Sequence, residues 1–124
     1  MSVKRLLITV DSHTQGEPTR LVIGGITHFP GSTMKERQAF VARELDFIRQ
    51  SLMAEPRGHL DMFGGFIMPP ATDDGDLGIV FMDNKGYLDM CGHGTIGLCT
   101  VLVELGMVKI TPPRTEIKID TPAG

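Results

Sequence analysis

The spacing of apolar residues divides the chain into short strands and two helices. Residues 4–12 and Thr19–Ile23 alternate weakly and are rich in β-formers, and Thr14-Gln15-Gly16-Glu17-Pro18 between them carries turn residues, so a hairpin is predicted. From Met34 to Met53, Phe40, Val41, Leu45, Ile48 and Leu52 recur at three- and four-residue steps with charged residues between them. That pattern predicts one amphipathic helix with a single core-facing stripe. Thr33 and Glu36 stand in capping-box spacing at its start, and Pro56 and Gly58 end it.

The second half reads as strands followed by a different kind of helix. Strands are expected leading into Met68, over Leu77–Met82 and through Tyr87-Leu88, with a turn at Asp83-Asn84-Lys85-Gly86. Thr95–Leu105 is apolar on nearly every side, which predicts a helix over 93–105 enclosed by a curved or closed sheet, with Cys99 an inert core residue and Gly106 the stop. Thr115–Asp120 alternates as a half-buried strand. No repeat or low-complexity tract interrupts the pattern.

A chain of 124 residues with 41% hydrophobic content supports one core. The net charge of −3, with both signs interspersed, gives no footprint for nucleic acid or an anionic membrane. No apolar run approaches a transmembrane length, and the N-terminal run is too short for a signal peptide, so a cytoplasmic protein is expected. Two cysteines fit a reducing compartment. Cys91 and Cys99 would lie about 12 Å apart along a helix, too far for a disulfide. Their spacing matches no zinc pattern, and the acidic loop Asp73-Asp74-Gly75-Asp76 lacks the spaced ligands of a calcium loop; no metal is expected.

The chemistry concentrates at Met90-Cys91-Gly92-His93-Gly94, where an apolar run stops and a helix opens. A cysteine just before a helix start lies near the positive end of the dipole, which favours thiolate over thiol. The unpaired N–H groups there form an anion site. Gly92-His93-Gly94-Thr95-Ile96-Gly97 also spells the dinucleotide fingerprint, but the preceding strand is short and turn-bounded and the following βα unit is missing. His13 and Glu17, in the hairpin turn, are candidates for the same neighbourhood.

Three stretches in order carry a resemblance: Asp11-Ser12-His13-Thr14 with Gly16-Glu17 and Thr19-Arg20; Glu55-Pro56-Arg57-Gly58-His59 with Asp61-Met62-Phe63-Gly64; and Gly86-Tyr87-Leu88 with Met90 to Gly97. The chain resembles the N-terminal lobe of the proline racemase family, which holds proline racemases, 4-hydroxyproline epimerases and trans-3-hydroxyproline dehydratases. The resemblance implies an α+β fold, diaminopimelate epimerase-like, in which a mixed β-barrel-like sheet wraps a central apolar helix, one lobe of a pseudo-symmetric pair. It implies a cofactor-independent isomerase acting on proline or hydroxyproline, a homodimer at full length, with Cys91 as one of two acid/base groups. Gly92 and His93 would bind the substrate carboxylate through their N–H groups, His93 would approach the ring nitrogen, and Phe63 would wall the apolar side of the pocket, unless it serves only core packing.

Residues 1–124 are expected to form one lobe, the second being absent, so this chain alone is not expected to racemise proline. The His59-to-Gly64 segment looks more like racemases and 3-hydroxyproline dehydratases than like 4-hydroxyproline epimerases. A different class of function is a catalytically incomplete lobe that acts as a binding or non-functional fragment.

Overall fold

A computed structural model describes residues 6–14, 17–26, 28–53, 58, 62–90, 92–106 and 117–123, with the side chains of 13, 14, 17 and 92–94 outside the description. In chain order the elements are β1 (Ile8–Thr14), β2 (Glu17–Gly24), α1 (Met34–Glu44), α2 (Asp46–Met53), β3 (Phe63–Met68), β4 (Leu77–Asp83), β5 (Tyr87–Leu88), α3 (Gly92–Glu104) and β6 (Ile119–Asp120).

The predicted hairpin forms, but its strands run into the expected turn: Thr14 ends β1, and Glu17 and Pro18 open β2. β1 and β2 pair antiparallel from Ile8↔Gly24 to Thr14↔Glu17. β2 then runs parallel to β3, Thr19 opposite Phe63 and Val22 opposite Phe66, with α1 and α2 as the crossover that a parallel pair requires. β3 pairs antiparallel with β4 along its whole length, from Phe63↔Asp83 to Met68↔Gly78. The other edge of β4 is shared: β5 pairs antiparallel with Phe81 and Met82, and β6 parallel with Leu77 and Gly78. The sheet is therefore mixed, and the fold class is α+β.

β4 is buried along Leu77–Met82 because helices cover both faces of the sheet there, so it reads as a continuous apolar run rather than an alternating one. Leu21, Ile79 and Phe81 face α3, meeting Leu98, Val101 and Leu102. Val22, Val80 and Met82 face the other way, into a cluster with Met34, Val41, Leu45, Ile48 and Met53 of the crossover. Gly64 permits this second layer: a Cβ there would run into the Arg20 carbonyl and come within 3.0 Å of the Met53 methyl.

Three expectations need correction. The single helix over Met34–Met53 is two helices. Leu45 leaves helical geometry at φ −120°, ψ 11°, and Asp46 starts a new turn with its carboxylate accepting from Arg49 and Gln50, a placement favoured at a helix N-terminus. Leu45 and Ile48 stay in the core, so the apolar stripe crosses the break unaltered. Next, the sheet does not enclose all of α3: Ile96 is 57% and Val103 36% exposed. Finally, Cys99, on the same outward side, is half-buried rather than in the core.

Other local expectations stand. Thr33 caps α1 by accepting from Glu36 N at 3.1 Å, while Glu36 accepts from Ser32 N at 2.9 Å, one residue earlier than in a strict capping box. Gly106 ends α3 at φ +69°, a conformation other residues adopt only at a cost. The expected helix terminator at Ala54–His59 lies, apart from Gly58, outside the described residues.

Candidate functional site

Two of the four anticipated site residues open α3. Gly92 and His93 are its first two residues, so their N–H groups belong to the first turn, which has no intrahelical acceptors. Cys91 and the His93 side chain lie outside the described residues, as do the side chains of His13 and Glu17. α3 has 13 residues, about 20 Å at 1.5 Å each. Its C-terminal half lies over the start of β4, where Leu102 lines a 610 Å³ cavity with Ile23, Ile67 and Leu77. The first turn therefore points to the opposite end of the sheet, where the pairing of β2 with β3 begins with Thr19 opposite Phe63.

Phe63 stands at that end, on the face that α3 covers. Its half-buried ring lies 5.7 Å from that of Phe81, tilted by 31°, so core packing is one thing it does. Beside it the ladder pairs Ser12 with Thr19. Thr19 is 1% exposed, and both Ser12 Oγ and Thr19 Oγ1 are buried with no hydrogen-bond partner among the described residues. Sequence reading gave no signal for this, because hydroxyl residues near a turn are ordinary.

The strand that leads to α3 is two residues long, and side chains from the crossover helices hold it. Tyr87 Oη donates to Asp46 Oδ1 at 2.8 Å. Arg49 grips the same carboxylate through two bonds, at 2.7 and 3.1 Å, donates to the Asp83 carbonyl at 3.2 Å, and lies over the Tyr87 ring. The Arg49 bond, chiefly, and the Tyr87 bond outweigh partial burial and bring the Asp46 carboxyl down to about 2; burial and Asp46 push the Tyr87 phenol up. One residue past β5, Asp89 accepts from Lys35 Nζ at 2.7 Å and Gln38 Nε2 at 3.1 Å, both on α1. Of these groups, only the Asp46–Arg49 pair at i,i+3 could be read from spacing.

Other charged side chains tie elements of the fold together. Arg20 pairs with Asp11 across the hairpin through two bonds, at 2.8 and 3.0 Å, and donates to the Leu52 carbonyl at 3.1 Å. The acidic loop fastens β6: Asp74 pairs with Lys118 Nζ, Asp76 accepts from Lys118 N, and Asp120 accepts from Ala71 N and Thr72 N. Among the described residues no His, Cys, Asp or Glu group could hold a metal ion, and no helix is long and apolar enough to cross a membrane. The strand before α3 is antiparallel to β4, so the dinucleotide arrangement is not met. Burial raises the Cys99 thiol, which makes it a poor thiolate.

Known proteins resemble this chain along its whole length. It is 52% identical over all 124 residues to the 4-hydroxyproline 2-epimerase of Streptosporangium roseum, 49% to the proline racemase of Acetoanaerobium sticklandii and 47% to the trans-3-hydroxy-L-proline dehydratase of Burkholderia cenocepacia. It spans 37% of the length of each of these relatives. The crystal structure of a hydroxyproline epimerase from Agrobacterium vitis with bound trans-4-hydroxy-L-proline superposes with a TM-score of 0.88 at 26% identity, over 100% of this chain and 37% of the other. The family model described as proline racemase matches residues 9–124, and the chain belongs to that family.

Proposed function

We propose that residues 1–124 are the N-terminal lobe of a cofactor-independent isomerase that moves a proton at Cα of proline or hydroxyproline, with Cys91 as one acid/base group. The observation that carries this reading is the family match over residues 9–124 with Cys91 directly before the first turn of α3. The Cys91 thiolate takes the Cα proton and becomes a thiol, and a second group on the opposite face returns a proton to the carbanion. A thiol suits this work because its ordinary pKa of about 8.5 lies near neutral and a helix N-terminus lowers it. The Gly92 and His93 N–H groups hold the carboxylate and stabilise negative charge as the carbanion forms. The His93 side chain approaches the ring nitrogen, and Phe63, packed on Phe81, walls the apolar side of the ring.

The second group comes from residues beyond these 124. Cys99 does not serve, since it lies on α3 about 12 Å further along the axis and burial disfavours its thiolate. In this reading the isolated lobe is inactive, and the complete enzyme is a cytoplasmic homodimer. The second residue also sets the reaction: another thiol returns the proton, whereas a threonine suits a dehydratase, in which a hydroxyl leaves as water. The 47% identity to a named dehydratase keeps that reaction as the second reading, and identities of 47–52% to all three relatives do not separate them.

The test is proton exchange at Cα in heavy water with L-proline, trans-4-hydroxy-L-proline and trans-3-hydroxy-L-proline, using the complete protein and this chain alone. The complete protein is expected to exchange at least one substrate and to lose that exchange with Cys91→Ala. Exchange that survives Cys91→Ala sinks the assignment of the base, and exchange by the 124-residue chain alone sinks the half-site.

A further inference from the structure

We propose that Tyr87 and Asp89 are positioning residues, held by side chains of the crossover helices on the opposite face of the sheet, that fix the chain where it enters α3 and so activate Cys91, the residue before Gly92. This rests on the reading of Cys91 as an activated thiol. Only residues 89–91 separate β5 from α3, and β5 offers just two residues to the ladder. Two paired residues fix the path of the chain weakly. The side chains supply what the ladder lacks: Asp46 of α2 holds the Tyr87 hydroxyl, and Lys35 and Gln38 of α1 hold Asp89.

The two anchors differ in strength. The Tyr87 anchor is half-buried and braced, because Asp46 is itself gripped by Arg49 and Gln50, and Arg49 also reaches the Asp83 carbonyl. Asp83 closes the preceding turn, accepting from the Lys85 and Gly86 N–H groups at 2.8 Å each. The Asp89 anchor is a surface pair, with Lys35 59% and Asp89 50% exposed, and pairs of that kind are weak. Loosening either anchor frees the chain before α3 and weakens the hold of the helix N-terminus on the thiol, an influence that fades within one turn. The consequence is a higher Cys91 pKa without loss of the fold.

The experiment is alkylation of the intact protein by iodoacetamide from pH 5 to 10, with Cys91 and Cys99 followed separately by mass spectrometry. In the unsubstituted protein Cys91 is expected to react well below pH 8.5 and much faster than Cys99. Tyr87→Phe is expected to slow Cys91 at pH 7 about fivefold and move its profile to higher pH. Lys35→Met, at an exposed site that unfolding does not threaten, is expected to slow it about twofold, with Lys35→Arg restoring the rate. Cys99, on the same helix, is expected to hold its slow rate in every variant, which a general loosening of the fold would not allow. If Cys91 is no faster than Cys99 before any substitution, the activated-thiol reading fails and takes this proposal with it. If Cys91 is activated and its profile is unchanged in both Tyr87→Phe and Lys35→Met, the positioning role alone is overturned.

Discussion

On one face of the sheet Met62, Met68 and Met82, with Met34 and Met53 of the crossover helices, pack among aliphatic residues and Phe66. On the other, Leu21, Leu77, Ile79 and Phe81 meet Leu98, Val101 and Leu102 of α3, with no methionine among the described buried residues of that cluster. The methionine face also carries the charged fasteners, Arg20 to Leu52 O and Arg49 to Asp46 and Asp83 O. The α3 face has instead two buried hydroxyls, Ser12 and Thr19, with no partner among the described residues. Flexible thioethers fill irregular gaps, and directional bonds supply the register that they do not. Branched and aromatic side chains fix a helix by shape. Among the described residues, charged fastening is thus concentrated on the face away from α3.

The sharpest way to break this comparison uses two adjacent, fully buried residues that point to opposite faces. Phe81→Ala is expected to destabilise the chain by about 3–5 kcal/mol, and Met82→Ala by about 2 kcal/mol, because the thioethers around Met82 relax into the cavity. Urea unfolding measures both, and the reverse order would remove the distinction between the faces.

Arg49→Met keeps the stem and removes the fasteners, and a loss of about 2 kcal/mol is expected. It also tests the origin of acid sensitivity. A carboxyl depressed from 3.8 to about 2 contributes stability above its unfolded value, which is lost as pH falls through the folded value. Melting temperatures are therefore expected to fall between pH 3.8 and about 2, and far less steeply in the Arg49→Met variant. An equal slope in both proteins would place the effect elsewhere.

The smallest effect sharpens the comparison through its sign. Thr19→Val replaces by a methyl a buried hydroxyl with no partner among the described residues, so stability is expected to hold or to rise by about 1 kcal/mol. A loss larger than that, measured by urea unfolding, would mean that the hydroxyl has a partner in solution.

The local features were legible because they depend on neighbours in sequence. The hairpin, the Thr33 cap, the Asp83 turn and the Gly106 stop each follow from residues a few positions apart. The apolar stripe from Phe40 to Leu52 gave the buried face of the crossover but not the break at Leu45. A stripe records which side is covered, not whether the axis is straight, and Leu45 is neither glycine nor proline. The all-round apolarity of α3 exaggerated its enclosure, because composition does not say how far a sheet curves. At the site, Gly92 and His93 could be placed at a helix start from the glycine pattern. The anchors on Tyr87 and Asp89 could not, since their partners lie 41 and 54 positions away.

The seat of β6 has a kinetic consequence. This strand pairs with β4 as Ile119 with Leu77 and Asp120 with Gly78, and just before it Lys118 N donates to the Asp76 carboxylate across 42 positions, with α3 lying within that span. Closing such a loop costs entropy before any contact repays it, and distant pairings slow folding. The β1–β2 hairpin, whose partners are as near as Thr14 and Glu17, is expected to form early, and the β4–β6 pairing to be among the last steps before the native state.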